Sequence, residues 1–273
     1  MIKSRTMNLH EKNGVVYFTF PLFDKHSVPH AFSTRMGGVS EGDTASMNFS
    51  FTLDKSEEAV KENFRIFSSA LGFDPEKLVL SQQTHTANLR VVTEKDFGKG
   101  VWRERDYTDI DGLITATNAV LVTQYADCTP LLFYDTKKNV AATSHAGWRG
   151  TVAEIGGRTV ELMQREFGSD PRDIIAAIGP SVGDCCYEVD NPVIDEIKKL
   201  PYLDLSLCYH NKGSGKYMLN LKEVNRQILI NAGLLPDNID ISDLCTCCNS
   251  ELLHSHRKTG GKRGTLGAFI SIK

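Results

Sequence analysis

Residues 108–150, TDIDGLITATNAVLVTQYADCTPLLFYDTKKNVAATSHAGWRG, hold four short apolar runs separated by turn residues. Gly112–Thr115, Ala119–Gln124, Leu131–Tyr134 and Val140–Ser144 are rich in Val, Leu, Ile and Thr and bounded by Asn, Asp or Pro. Apolar runs this short read as buried strands, because a buried helix needs about ten residues or more. Working outward, the same pattern predicts strands over Gly14–Phe20, His30–Thr34, Leu78–Gln82, Leu89–Thr93, Ile174–Ile178, Ile239–Asp243 and Thr265–Ile272. Helices are fewer. Ser56–Leu71 opens with Ser56 and Glu58 and stops at Gly72, a start signal and a C-terminal glycine. Thr151–Phe167 spaces Val152, Ile155, Leu162, Met163 and Phe167 near helical period and stops at Gly168. Asn191–Leu200 and Leu221–Ala232 complete the set. Strands in runs, broken by helices that do not alternate with them, predict an α+β fold with mixed β-sheets flanked by helices. No linker or low-complexity run divides residues 1–273, so a single layered domain is expected.

Composition narrows the class. With 41% hydrophobic and 24% charged residues the chain is an ordinary globular protein able to bury a core. A net charge of -3 gives no bulk field to attract a nucleic-acid backbone or an anionic membrane. No apolar segment approaches the roughly 18 residues of a spanning helix, and the first 14 residues, MIKSRTMNLHEKNG, lack an apolar leader core. These readings predict a cytoplasmic protein without nucleic-acid or membrane partners. The seven cysteines are an odd number, which favours reduced thiols over a disulfide framework.

The chemistry gathers where the predicted strands end. Cys128 sits in ADCTP, and Pro130 restricts the residue before it to extended or turn backbone. His145 follows VAATS, and His85 follows LVLSQQT. Three soft or borderline ligands at three strand ends suit a catalytic zinc site, with three protein ligands and one open position; thiolate with imidazole selects zinc or copper over magnesium or calcium. No His-Glu-x-x-His helix is present, and the spacing alone leaves two other readings open. Cys128 can be a buried apolar thiol, or a nucleophile activated by His145 or His85 with Asp127 or Asp109 orienting the imidazole.

Several blocks in register then point to a family. TDIDGLIT, YADCTPLLFYD, SHAGWRG, IGPSVGDCCYEV and SHRKTGGKRGTLGAFI, with the earlier HAFSTRMGGVS, MNFSF and SQQTH, together resemble the YfiH family, also called the laccase-domain or multicopper polyphenol oxidase family, over about residues 30–272. The resemblance implies a layered α+β fold shared with certain toxin catalytic domains. It implies zinc on His85, Cys128 and His145, and a purine nucleoside phosphorylase acting on adenosine, inosine and 5′-methylthioadenosine, with adenosine deamination alongside. It also leaves two alternatives: a cysteine hydrolase that edits peptidoglycan precursors, and a polyphenol oxidase using Cu2+, although three ligands cannot supply a multicopper centre.

Phosphorolysis needs phosphate held near C1′ of the ribose. Arg35 in STRMGG and Arg149 in GWRG are the candidates, since a guanidinium offers paired donors to oxyanions. Gln82 is placed to orient the base, and His256 and Arg257 are expected near the cleft. The adjacent Cys185 and Cys186 are expected to point apart and pack a loop. Cys245, Cys247 and Cys248, with His254 and His256, lack the regular spacing of a closed zinc site. The family's C-terminal block carries an arginine where this chain has Thr265, which puts that role in doubt or moves it to Arg263. Oligomeric state is not legible.

Overall fold

The computed structural model describes residues 4–272; residues 1–3 and 273 of the expected 1–273 unit lie outside the described residues. The first sheet has the order β1 (Asn8–Lys12), β2 (Val15–Thr19), β3 (His30–Ser33), β15 (Leu266–Ile270), β7 (Val120–Tyr125), β4 (Leu78–Leu80). Its neighbours are antiparallel except β4 on β7. The second has the order β14 (Ile239–Ile241), β10 (Ile174–Ile178), β8 (Thr129–Asp135), β9 (Val140–Ala146), β6 (Gly112–Thr115), β5 (Leu89–Val91), antiparallel inside and parallel at both edges. A small third sheet pairs β11 (Glu188–Asp190), β13 (Lys216–Leu219) and β12 (Tyr209–Gly213).

The two large sheets face each other. Phe18, Phe32, Leu121, Tyr125 and Ile270 of the first share one buried cluster with Leu113, Leu132, Ala141, Ile175 and Ala177 of the second. A single turn, α1 (Pro21–Lys25), lies at the edge, where the amide of Leu22 donates to Asp240 at 2.8 Å. Outside the first sheet, α2 (Glu57–Leu71) lays Val60, Phe64 and Phe67 on Val120, Val122 and Phe269. Outside the second, α4 (Ile155–Phe167) and α7 (Leu221–Asn231) bury Val160, Met163 and Leu229 against Ile114, Leu131 and Phe133. Both faces of β7 and β8 are therefore covered, which is why their sequences are continuous rather than alternating. Truncating one of these rings, Phe64 for example, would cost about 3–5 kcal/mol.

The expected α+β class with mixed sheets flanked by helices is the observed one. Ser56 caps α2 by accepting from the amide of Ala59 at 3.1 Å, and Gly72 closes it in the left-handed region at φ 78°. The expected helix over Thr151–Phe167 is instead two, α3 (Trp148–Val152) and α4, broken at Glu154 with φ 56°. Trp148 and Val152 pack with the third-sheet cluster while Ile155 and Val160 pack under the second sheet, so the chain must change direction between them. The remaining short helices are α5 (Asn191–Ile197), α6 (Leu205–Cys208) and α8 (His256–Thr259). Among the described residues no helix is long and apolar enough to cross a membrane.

Candidate active site

β7 ends in the first sheet at Tyr125 and β8 begins in the second at Thr129, so Ala126, Asp127 and Cys128 cross between layers. Asp127 makes the crossing at φ 90°. Its carboxylate accepts from the Thr246 hydroxyl at 2.5 Å and the Arg257 amide at 2.6 Å, and its carbonyl accepts from the Val182 amide at 2.9 Å. Cys128 is thereby held at the mouth of the sandwich. His145 lies near the end of β9, opposite Pro130 of β8. His85 follows β4 in a loop and takes φ 65°.

The donor atoms of His85, Cys128 and His145 all lie within 4.8 Å of one another. His85 Nε2 is 3.7 Å from the Cys128 sulfur, and the two imidazoles meet edge to face with centroids 4.9 Å apart. Gly147 makes room for this meeting: a Cβ there would lie 2.8 Å from His85 Cδ2 and 3.2 Å from the Cys128 sulfur.

One fully buried carboxylate, Asp111, organises the cluster. Its Oδ1 accepts from the His85 amide at 3.0 Å and pairs with His145 Nδ1 at 2.8 Å. Its Oδ2 accepts from the amides of Thr84 (3.1 Å) and Thr86 (2.9 Å) and from the Thr86 hydroxyl (2.8 Å). This fixes the His85 loop and turns His145 so that Nε2 faces Cys128, the carboxylate–histidine arrangement that supports metal-binding imidazoles.

The electrostatics follow from the geometry. Burial alone would raise the Cys128 thiol, but the neighbouring His145 and His85 outweigh it and bring it down to about 6. Burial likewise opposes charge on His145, yet Cys128 and Asp111 lift it to about 9. Burial would raise the Asp111 carboxyl, and the donors from His145 and Thr86 hold it at about 2. Without a metal the thiolate, imidazolium and carboxylate forms favour one another; a thiolate is the form that ligates, and His145 would give up its Nε2 proton to a bound ion.

A cavity of about 640 Å³ opens above these residues. Gln82, Arg149, His256 and Arg257 line it, as do the unforeseen Arg105, Trp148 and Tyr187. Gln82 Oε1 accepts from the Asp109 amide at 3.0 Å, the Arg149 guanidinium lies 4.3 Å over the Trp148 ring, and that of Arg257 lies 5.4 Å over Tyr187. Arg35 does not line the cavity. Its Nε and Nη2 donate to the carbonyl of Ala45 and its Nη1 to that of Ser250, so the guanidinium ties two loops together. Arg263 and Thr265 both line the cavity. The Thr265 amide donates to Asn48 Oδ1 at 2.9 Å, whereas Arg263 Nε has no protein partner. The orienting role expected of Asp127 or Asp109 falls instead to Asp111. Its place in TDIDG, an acid directly before a short buried strand, was the available signal.

A family model described as multi-copper polyphenol oxidoreductase laccase matches residues 29–273. Purine nucleoside phosphorylase YlmD of Bacillus subtilis is 37% identical over 247 residues, 89% of this chain and 87% of that one. Adenosine deaminase RL5 of an unknown prokaryotic organism is 33% identical over 196 residues, 71% of this chain and 74% of that one. The crystal structure of the Bacillus licheniformis hypothetical protein YfiH superposes with a TM-score of 0.92 at 35% identity, covering 98% of this chain and all of that one.

Proposed function

The chain belongs to the multi-copper polyphenol oxidoreductase laccase family, and from that premise we propose that it is a cytoplasmic purine nucleoside phosphorylase acting on adenosine, inosine and 5′-methylthioadenosine. Adenosine deamination is its side activity. The observation that carries the reading is the His85–Cys128–His145 cluster at the floor of a cavity walled by arginines and aromatic rings. Relatives named for both activities support it.

The donor set fits zinc: one low-pKa thiol, two imidazoles, a carboxylate behind one of them and a glycine that leaves space beside them. His85, Cys128 and His145 would hold the ion, which supplies Lewis-acid stabilisation of developing negative charge. Three such ligands make one site, which argues against a multicopper centre. Phosphate, displaced from the expected Arg35, falls to Arg149, Arg257 and Arg263, whose guanidinium donors suit its oxygens. Trp148 and Tyr187 offer ring faces for the purine. In phosphorolysis a phosphate oxygen bonds to C1′ as the C1′–N9 bond breaks, and the base leaves with the electron pair and takes up a proton.

Incubation of zinc-replete protein with adenosine and phosphate is expected to yield adenine and ribose 1-phosphate. Absence of any phosphate-dependent product overturns the proposal. A second reading rests on the thiolate–imidazolium–carboxylate array, which is also that of a cysteine nucleophile. Such a hydrolase, acting on peptidoglycan precursors, would keep its activity after chelation, whereas the phosphorylase would lose it.

A further inference from the structure

Outside the cavity the fold gathers four thiols. The sulfurs of Cys185, Cys186, Cys245 and Cys248 all lie within 4.8 Å of one another, and Cys248 stands 3.5 Å from Cys185 and 3.4 Å from Cys186. We propose that these four cysteines form a second metal site, a closed structural tetrathiolate that takes Zn2+. With Zn–S at about 2.3 Å, a tetrahedral site has sulfurs about 3.8 Å apart, close to this spacing, while a disulfide requires about 2.05 Å.

The backbone explains why the sequence concealed the site. Cys185 and Cys186 would diverge in an extended strand, but here the amides of Cys186 and Tyr187 both donate to the Gly183 carbonyl, at 2.9 and 2.8 Å. The tight turn brings both thiols to one side. Cys245 and Cys248 are a Cys-x-x-Cys pair across a second turn, closed by the Asn249 amide on the Cys245 carbonyl at 3.1 Å. Cys247 stands outside the cluster, and so do both histidines. His254 is engaged with the Met47 carbonyl and the Gly264 amide, and His256 lines the catalytic cavity.

Backbone donors face one of the four sulfurs. The Gly183 amide donates to the Cys245 sulfur at 3.2 Å, and the Cys248 amide also points at it. Gly183 eases the approach, since a Cβ there would lie 3.2 Å from Cys245 Cβ and 3.3 Å from the Cys185 sulfur. Four thiolates around a divalent cation leave two net negative charges, and Lys222, anchored on the carbonyls of Ser242 and Leu244, brings an ammonium beside them. Binding releases the thiol protons and changes no oxidation state. The two turns joined by the ion also carry cavity walls. Val182 and Tyr187 flank the first; the second continues to His256 and Arg257, and the Thr246 amide donates to the Ser181 carbonyl at 3.0 Å. The site is a clip that holds those walls together.

The test uses the full chain, purified under reducing conditions. Two zinc ions per chain are expected, falling to one in His85→Ala and to none in His85→Ala with Cys248→Ser. Cobalt loaded into His85→Ala should give the intense charge-transfer and visible bands of a tetrahedral tetrathiolate, kept when Cys247→Ser is added. Zinc should also shield four thiols of His85→Ala from iodoacetamide, a readout that stands even if the Cys248→Ser protein does not fold. The site is overturned if His85→Ala binds no metal, if the cobalt bands survive Cys248→Ser, or if peptide mapping of the reduced preparation finds Cys248 in a disulfide.

Discussion

Replacing Asp111 with Asn removes one of the two acceptor oxygens on which the candidate site turns. Oδ1 serves the His85 amide and His145 Nδ1; Oδ2 serves the amides of Thr84 and Thr86 and the Thr86 hydroxyl. Whichever way the new amide lies, its NH2 group faces at least two donors. Hydrogen bonds to a charged group are worth about 1.5–3 kcal/mol each, so Asp111→Asn should cost about 3–6 kcal/mol. That is a large share of the roughly 5–15 kcal/mol that holds a domain. The same change frees the His85 loop and the His145 ring, and loss of such support weakens metal binding about 10–100-fold. Urea melts of metal-free protein measure the first effect, and zinc competition against a chromophoric chelator measures the second. If Asp111→Asn stays within about 1 kcal/mol of the parent and binds zinc equally well, Asp111 does not organise the site.

Gly147→Ala places a Cβ 2.8 Å from the His85 ring on a backbone with φ -67° that alanine adopts freely. Ligand distances tolerate only about 0.2 Å. Zinc affinity should therefore fall at least about tenfold with little change in the melting of metal-free protein; unchanged affinity in the competition titration would contradict the geometry. Arg263→Met should raise KM for phosphate with kcat less affected. Arg35→Met should leave KM for phosphate alone and lower stability by about 1–3 kcal/mol, because it orphans the carbonyls of Ala45 and Ser250; steady-state kinetics and denaturation separate the two arginines. Acid should destabilise the fold through His30 and His254, which burial holds down at about 4 and about 3 from an ordinary 6.5. Each is neutral in the fold, accepting one amide and donating to one carbonyl. The unfolded chain takes up their protons first, so stability is full above pH 6.5 and declines as pH falls through 6.5 toward 4 and then 3. A pH series of melts on His254→Gln should be flatter than that of the parent.

The parts of the fold legible in the sequence are those where both faces of an element are buried. β7, β8, β9 and β10 are buried almost throughout and built mainly of apolar residues, so their positions follow from composition. β1 and β12 were missed because their residues, NLHEK and YHNKG, are polar and largely exposed, and pairing rather than burial defines them. The break at Glu154 was hidden because Val152 and Ile155 fit one helical stripe while packing into different clusters. In the site, His85, Cys128 and His145 announced themselves by residue type. Gly147 acts through the space it leaves, which only the folded backbone reveals, and the hydrogen bonds of Asp111 were hinted at only by an acid standing directly before a buried strand. Arg35 misled for the opposite reason, since a glycine-flanked guanidinium serves two backbone carbonyls as well as it serves phosphate.

The crossing at Ala126–Cys128 has a consequence for synthesis. β7, which leads into it, is flanked in the first sheet by β4 and by β15, a strand from residues 266–270. A chain emerging from the ribosome in order exposes His85, Cys128 and His145 long before the strand that completes the first sheet exists. The folded spacing of the cluster thus depends on a strand that contributes no donor to it, and the last stretch of chain to be made completes the sheet that positions a site encoded more than a hundred residues earlier.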